Sequence, residues 1–213
     1  MATAKKSTPT PAILNRYTAL PIALEVLAKR RITLLSPETW EDYNNAYYLE
    51  RYRQEMKFRS VLAICFSLHR ETFHHWRIFS SGASGVCIEF DKDRLLKHFA
   101  GRPGFRHEKV TYAWISELKK AKPPIEKWPF LKRRPFEDER EYRITFESKT
   151  ESDRAKAVPI DLASIRKVTL SPWIPGSVSA SVITIMKKID GCAGLDISRS
   201  SLLDNSGWRD AIK

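Results

Sequence analysis

The chain has 213 residues, 42% of them hydrophobic and 11% aromatic, which suffices for a packed core and excludes global disorder. Lysine and arginine number 37 against 25 aspartates and glutamates, a net charge of +12 that favours a polyanionic partner: nucleic acid, a nucleotide or an acidic protein. No apolar run reaches bilayer length, so no membrane partner is expected.

The opening "MATAKKSTPTPA", residues 1–12, has lysines but no apolar stretch of the signal-peptide kind. It reads as a short mobile tail, followed by one globular domain over residues 13–213. "LPIALEVLAKRR" predicts a short helix and "RITLLSP" a short strand stopped at Ser36-Pro37. From Glu38 to Lys57 the chain is aromatic and charged. The approximate helical spacing of Trp40, Tyr43, Tyr47, Leu49 or Glu50, and Met56 predicts one or two amphipathic helices. "SVLAICFS" is continuously apolar at strand length, so it should be a strand buried on both faces.

"HRETFHHWRIFSSG" predicts a helical segment ending at Gly82. "SGVCIEFDKD" alternates as a strand, with Val86, Ile88 and Phe90 on one face. A short helix follows, with Asp91 as N-cap and Gly101 as C-cap. "FRHEKVTYAW" predicts one further strand, "KPPIEKWPFLKRRP" a basic, proline-punctuated connection, and Glu139 to Phe146 the next strand. "AVPID", "IRKVTLSPW" and "LDISRSSLL" add short strands, and "SVSASVITIMKKIDG" a helix stopped by Gly191. Short strands and helices without a regular β-α-β rhythm predict an α+β fold: a mixed, mostly antiparallel sheet with short helices packed around it.

The three cysteines, Cys65, Cys87 and Cys192, have no metal-binding spacing, and their odd number points to free thiols in a reducing cytoplasm. His69, His74 and His75 are also poorly spaced for a single ion, so no metal is expected.

The stretch "FEDEREYR", residues 136–143, holds four acids and two arginines in eight residues. On a strand, Tyr142, Ile144 and Phe146 would point into a core while Glu139, Glu141 and Arg143 point the other way. That second face is either a solvated edge with weak ion pairs or the wall of an active site. Carboxylates beside a developing oxocarbenium ion would stabilise it, as breaking the nicotinamide–ribose bond of NAD requires. Just upstream, Lys132, Arg133 and Arg134 form a basic cluster that could contact phosphate or nucleic acid, or simply neutralise the neighbouring acids. His75 and Arg77 could reach phosphate, and the amides of "SSGASG" could cradle an anion, although a plain turn explains that segment as well.

The order of these motifs resembles a large uncharacterised bacterial family. It runs through Arg16-Tyr17, Leu35-Ser36-Pro37, Cys65-Phe66-Ser67, Trp76 to Phe79, Gly85 to Asp91, Val110-Thr111-Tyr112, Lys132 and Glu139 to Arg143. The chain departs from that family at Phe79, Ile78 and Leu35, where Tyr, His and Phe are common. The layout is also similar to the ADP-ribosyltransferase superfamily: an early basic residue, a serine-bearing middle strand and a late Glu-x-Glu. That resemblance implies an NAD-using ADP-ribosyltransferase or NAD-cleaving domain, of the kind found in bacterial or phage toxins and defence effectors. It makes Glu141 and Glu139 catalytic, with Glu141 at the oxocarbenium ion and Glu139 orienting the acceptor. Arg16 would grip the phosphates, Ser67 would position the nicotinamide ribose, Tyr17 or Trp76 would pack on nicotinamide, and Arg143 would complete the NAD-binding set. The acceptor is left open among protein, nucleic acid and water. A non-catalytic, basic nucleic-acid-binding module is the competing expectation.

Overall fold

The computed structural model describes residues 12–211. The expected tail therefore lies, but for Ala12, outside the described residues. Strand β1 (Ile13–Ala19) runs into helix α1 (Leu20–Lys29) and returns as β2 (Arg31–Leu35). Helix α2 (Tyr43–Glu55), β3 (Ser60–Ser67), α3 (Phe73–Phe79), β4 (Gly85–Asp91) and α4 (Lys92–Lys97) follow. Next come β5 (Phe105–Lys109), β6 (Thr111–Ala113), α5 (Ile115–Lys120), β7 (Leu131–Arg133) and β8 (Glu141–Ser148). The chain closes with β9 (Ala155–Pro159), β10 (Ile165–Leu170), α6 (Gly176–Lys187), β11 (Asp196–Arg199) and α7 (Ser206–Asp210).

Among the described residues nine strands form one sheet, antiparallel except where β10 meets β11. The α+β architecture is the expected one. Strand β3 is its organiser. One edge pairs with β8 along its whole length, from Ser60↔Ser148 to Ser67↔Glu141. The other edge is shared: β2 meets it at Ala63 and β1 at Ser67. From that divergence the β1–β4–β10–β11 half and the β2–β9 half lead away separately, and side chains of both halves meet in one core. Phe66 of β3 and Phe90 of β4 touch edge to face across it, with ring centroids 5.8 Å apart.

The opposite face of β3 is covered as well. There Leu49 and Tyr52 of α2 pack with Val61, Trp40, Phe58 and Trp128 in a second cluster. Burial on both faces is why β3 reads as an unbroken apolar run. Beside β1 and β4 a third cluster joins Tyr17, Trp76 and Cys87, packed against Trp173.

Several expectations are corrected. Helix α2 starts only at Tyr43, capped by the Asp42 side chain on the Asn45 amide. Trp40 lies ahead of it in extended backbone, so the helical phase runs through Asn45, Leu49 and Tyr52 rather than the predicted tyrosines. Tyr43 is 82% exposed. The single strand predicted over "FRHEKVTYAW" breaks at Val110. Its first part, β5, pairs with β8, and its second part, β6, pairs in parallel with β7. Asp91 caps α4 as predicted, but His98 ends that helix and Gly101 adopts its left-handed φ of 71° in the following turn.

The strand predicted from Glu139 begins instead at Glu141. Arg134–Glu139 forms a 3₁₀ turn, and Arg140 is left-handed, with φ 42° and ψ 54°. Glu139 and Glu141 are therefore not neighbours on one pleat.

Candidate functional site

Strands β3 and β8 are paired to their ends, which sets Ser67 opposite Glu141. Around those ends lies a cavity of about 530 Å³, within the range of small-molecule sites. Its walls come from β1 (Asn15 to Ala19), the stretch before α2 (Trp40, Glu41, Asp42), the end of β3 (Cys65 to Ser67) and the end of α3 (Ile78, Phe79). Lys132, Phe136, Glu139 and Glu141 complete them.

Tyr142, Ile144 and Phe146 point into the main core, as the alternation of β8 predicts. Glu141 and Arg143 take the other face, and neither is solvated: Glu141 is 4% exposed and Arg143 0%. The solvated-edge alternative is thereby excluded. Arg143 donates from Nε to Glu141 Oε1 at 2.6 Å and from Nη1 to the Pro129 carbonyl at 2.7 Å. Its guanidinium lies 5.0 Å from the Trp40 ring centroid. The Glu141 amide donates to the Tyr112 hydroxyl at 2.8 Å.

Lys132 enters from β7. Its ammonium lies 2.6 Å from Glu139 Oε2, 3.5 Å from Glu141 Oε2 and 3.8 Å from Asp42 Oδ2. The left-handed Arg140 thus still delivers both glutamates to one cation. Arg16 Nη1 donates to the Cys65 carbonyl at 2.9 Å, and Arg16 forms no ion pair among the described residues. Of the two cations lining the cavity, Lys132 is ion-paired and Arg16 is held by a carbonyl, with Glu141 near enough to act on it and burial lowering its pKa.

The two glutamates are driven apart electrostatically. Burial would raise the Glu141 carboxyl, but Arg143 and then Lys132 outweigh it and hold it at about 2. Burial raises the Glu139 carboxyl above its ordinary value, with Lys132 opposing. Divergent shifts in adjacent acids are how one site supplies both a fixed anion and a proton acceptor. Burial, with help from Glu141, pushes the Cys65 thiol up to about 12, so it stays neutral. Burial would lower Lys132, but Glu141 and Glu139 outweigh it and its pKa rises.

Of the residues singled out from sequence, Arg16, Tyr17, Ser67, Lys132, Glu139 and Glu141 line this cavity. Trp76 does not. It is 0% exposed, donates from Nε1 to Glu71 at 2.7 Å and meets Tyr17 edge-on from behind, so it cannot pack on a ligand. Arg143 also stands behind the wall, supporting Glu141 rather than reaching a ligand. The basic cluster is dispersed: Lys132 turns inward among carboxylates, Arg134 pairs with Glu137, and Arg133 faces solvent away from the cavity. His75 is buried, and Arg77 lies against the rings of Phe73 and Trp173. "SSGASG" is a 3₁₀ turn, in which Gly85 leaves no room for a Cβ against Ser80.

Trp40, Asp42, Phe136, Ile78 and Phe79 were missed as wall residues. They sit on three separate segments, ahead of α2, at the end of α3 and in the turn before β8, and no local spacing marks them. Cys65 was within reach, because it shares a face of β3 with Ser67. Among the described residues no cluster of three His, Cys, Asp or Glu side chains could hold a metal ion, and no helix is long and apolar enough to cross a membrane.

No protein-family model matches this chain, and no curated protein matches it. Among solved structures it is similar to DarT of Thermus sp. 2.9 in complex with ADP-ribosylated ssDNA, at 14% identity over 92% of this chain and 98% of that one, with a TM-score of 0.46. It is likewise similar to the same protein in complex with NAD+ (12% identity, 91% and 98% covered, TM-score 0.45). The complex with carba-NAD+ gives 12% identity, coverage of 91% and 97%, and a TM-score of 0.44.

Proposed function

We propose that this chain is an NAD-using, ADP-ribosyltransferase-like or NAD-cleaving domain that works in the cytoplasm as a bacterial or phage toxin or defence effector. The observation that carries the reading is the shared cavity: Arg16, from the start of the chain, and Glu141, from late in it, line one hollow of about 530 Å³. The layout of an early basic residue, a serine-bearing middle strand and a late Glu-x-Glu, which resembles the superfamily, supports the same reading. The three cysteines are all unpaired, in keeping with a reducing compartment.

On this reading Arg16 meets the diphosphate of NAD as a bidentate, always-charged donor. Tyr17 and the neighbouring apolar wall of Ile78 and Phe79 take a flat ring. As the nicotinamide–ribose bond breaks, its electron pair leaves with nicotinamide and positive charge develops on the ribose. Glu141, ionised and held rigidly by Arg143, faces that charge with little reorganisation to make. Glu139, with its raised pKa, orients the acceptor and takes the proton as the new bond forms. The acceptor is water, protein or nucleic acid, and the basic surface favours the last.

Nicotinamide release from NAD tests the reading. Glu141→Gln should lower it by about 10²-fold or more per folded molecule, the folded fraction being measured alongside. A folded wild-type protein that releases no nicotinamide with any acceptor pool would remove the enzyme reading altogether. The alternative, a non-catalytic nucleic-acid module, loses ground because its basic cluster is dispersed and Lys132 is spent on three carboxylates.

A further inference from the structure

We propose that His75 is a positioning residue for Glu139, acting through the hydroxyl of Ser67. The inference rests on the reading above only in giving Glu139 a role. The geometry of the clamp stands on its own.

The Ser67 hydroxyl lies at the meeting point of three elements. It donates to the Glu139 carbonyl at 2.9 Å, accepts from the His69 amide at 3.0 Å and lies 3.0 Å from His75 Nε2. A serine hydroxyl has one proton, and the carbonyl, which can only accept, takes it. His75 Nε2 also stands 3.5 Å from the Glu139 carbonyl, too far to be that carbonyl's main hydrogen bond, and His75 therefore donates from Nε2 to Ser67. That leaves Nδ1 bare, and it lies 2.5 Å from the Thr72 hydroxyl, which donates to it. The Thr72 oxygen in turn accepts the His75 amide at 3.2 Å as the N-cap of α3. One tautomer, neutral with its proton on Nε2, satisfies every group in the chain.

The Glu139 carbonyl is thus held by a relay rooted in α3: Thr72 to His75 to Ser67 to Glu139. Glu139 closes the 3₁₀ turn, one residue before the left-handed Arg140. Its backbone orientation there aims the carboxylate at Lys132. Ser67 is consequently not free to position a ribose, as the superfamily resemblance implies, because its proton is committed to the chain itself. His75 does not line the cavity. Around it stand the rings of Tyr17, His69 and Phe79, at 5.6, 5.3 and 5.7 Å between centroids, with His74 and Asp138 the other titratable groups that act on it.

The conservative variant separates positioning from packing, because glutamine can place an N–H donor where Nε2 stands, whereas leucine only fills space. His75→Leu should lower the turnover number for nicotinamide release by about a hundredfold, the scale of a small misplacement, while NAD affinity by calorimetry stays within about twofold. His75→Gln should recover most of that loss. Ser67→Ala should reproduce the leucine variant, and the double variant should be no worse than either single one, since they break one relay. Equal losses in the glutamine and leucine variants, additive losses in the double variant, or a parallel fall in NAD affinity would each overturn the proposal. Should wild type release no nicotinamide, the enzyme reading fails and the clamp is judged on the free protein. Imidazole nitrogen shifts should then report the Nε2–H tautomer. Exchange of the Arg140 amide, bonded to the Glu137 carbonyl at 3.0 Å, should speed up in His75→Leu and be restored in His75→Gln. Unchanged exchange, or the other tautomer, sinks the clamp.

Discussion

Glu141 is a buried carboxyl whose ionisation is fixed by its neighbours. Its carboxyl sits at about 2 against an ordinary value of 4.5, because Arg143 and Lys132 together more than offset the cost of its burial. A depressed folded-state value means the unfolded chain binds the proton more tightly. The resulting stabilisation is complete above about pH 4.5 and is lost as pH falls towards 2. Denaturant titrations of wild type and Glu141→Gln should show this difference directly. At neutral pH the variant should be less stable by about 3–5 kcal/mol, since it leaves Arg143 buried without its counter-charge. Between pH 4.5 and 2 the gap should narrow, because the unfolded wild-type chain takes up a proton there while the folded carboxylate stays ionised. A constant gap across that range would mean the pair contributes by packing alone. "EREYR" pointed to an anion with a nearby arginine. That the arginine lies behind the anion follows from the cover over this face of β8, where Pro129 and Trp40 close around it.

At the scale of elements, the decisive feature is the turn that delivers β8. Read by alternation, Glu139 and Glu141 share a pleat. In the fold, Arg140 takes φ 42° and ψ 54°, and Glu139 ends a separate 3₁₀ turn. A left-handed residue with a Cβ costs about 1–2 kcal/mol, and a β-branched one is worse still. Arg140→Val should therefore lower unfolding free energy by at least about 1 kcal/mol, while Arg140→Gly should be close to neutral because relief of strain offsets added unfolded-state freedom. Urea midpoints at constant slope measure both, and equal effects would argue against a strained turn. The same element-level logic explains α2. Its buried positions, Asn45, Leu49 and Tyr52, keep helical spacing, but Asn45 is polar and so hid the phase. That asparagine is there to donate to the Leu131 carbonyl at 3.0 Å, tying α2 to the strand that carries Lys132.

Over the whole molecule the charge is +12, yet the cavity carries Glu41, Asp42, Glu139 and Glu141 against Arg16 and Lys132. If the proposed function holds, a basic exterior would gather a polyanionic acceptor towards the carboxylates. If the acceptor is nucleic acid, its affinity should fall steeply with salt, and Arg133→Glu should reduce the slope of log affinity against log salt by about one. Lys132→Gln should instead impair nicotinamide release and leave that slope unchanged, because its ammonium is spent inside the cavity. A salt-independent affinity would exclude phosphate contacts as the basis of recognition.

Composition and periodicity by themselves determined the α+β class, β3 as the doubly buried strand, the Asp91 cap and the core face of β8. These are local consequences of side-chain alternation, helical spacing and capping chemistry, and they need no knowledge of what lies opposite. The motif order likewise singled out Arg16, Tyr17, Ser67, Lys132, Glu139 and Glu141, all of which meet at one cavity. Only the tertiary structure decided that Trp76 and Arg143 stand behind that wall, that Lys132 faces inward, and that Ser67 answers to His75. Each of those outcomes depends on which distant segment covers a given face. Pairing of β3 with both β1 and β8 brings residues some hundred and twenty-five positions apart, Arg16 and Glu141, to one hollow, and no local pattern encodes that closure.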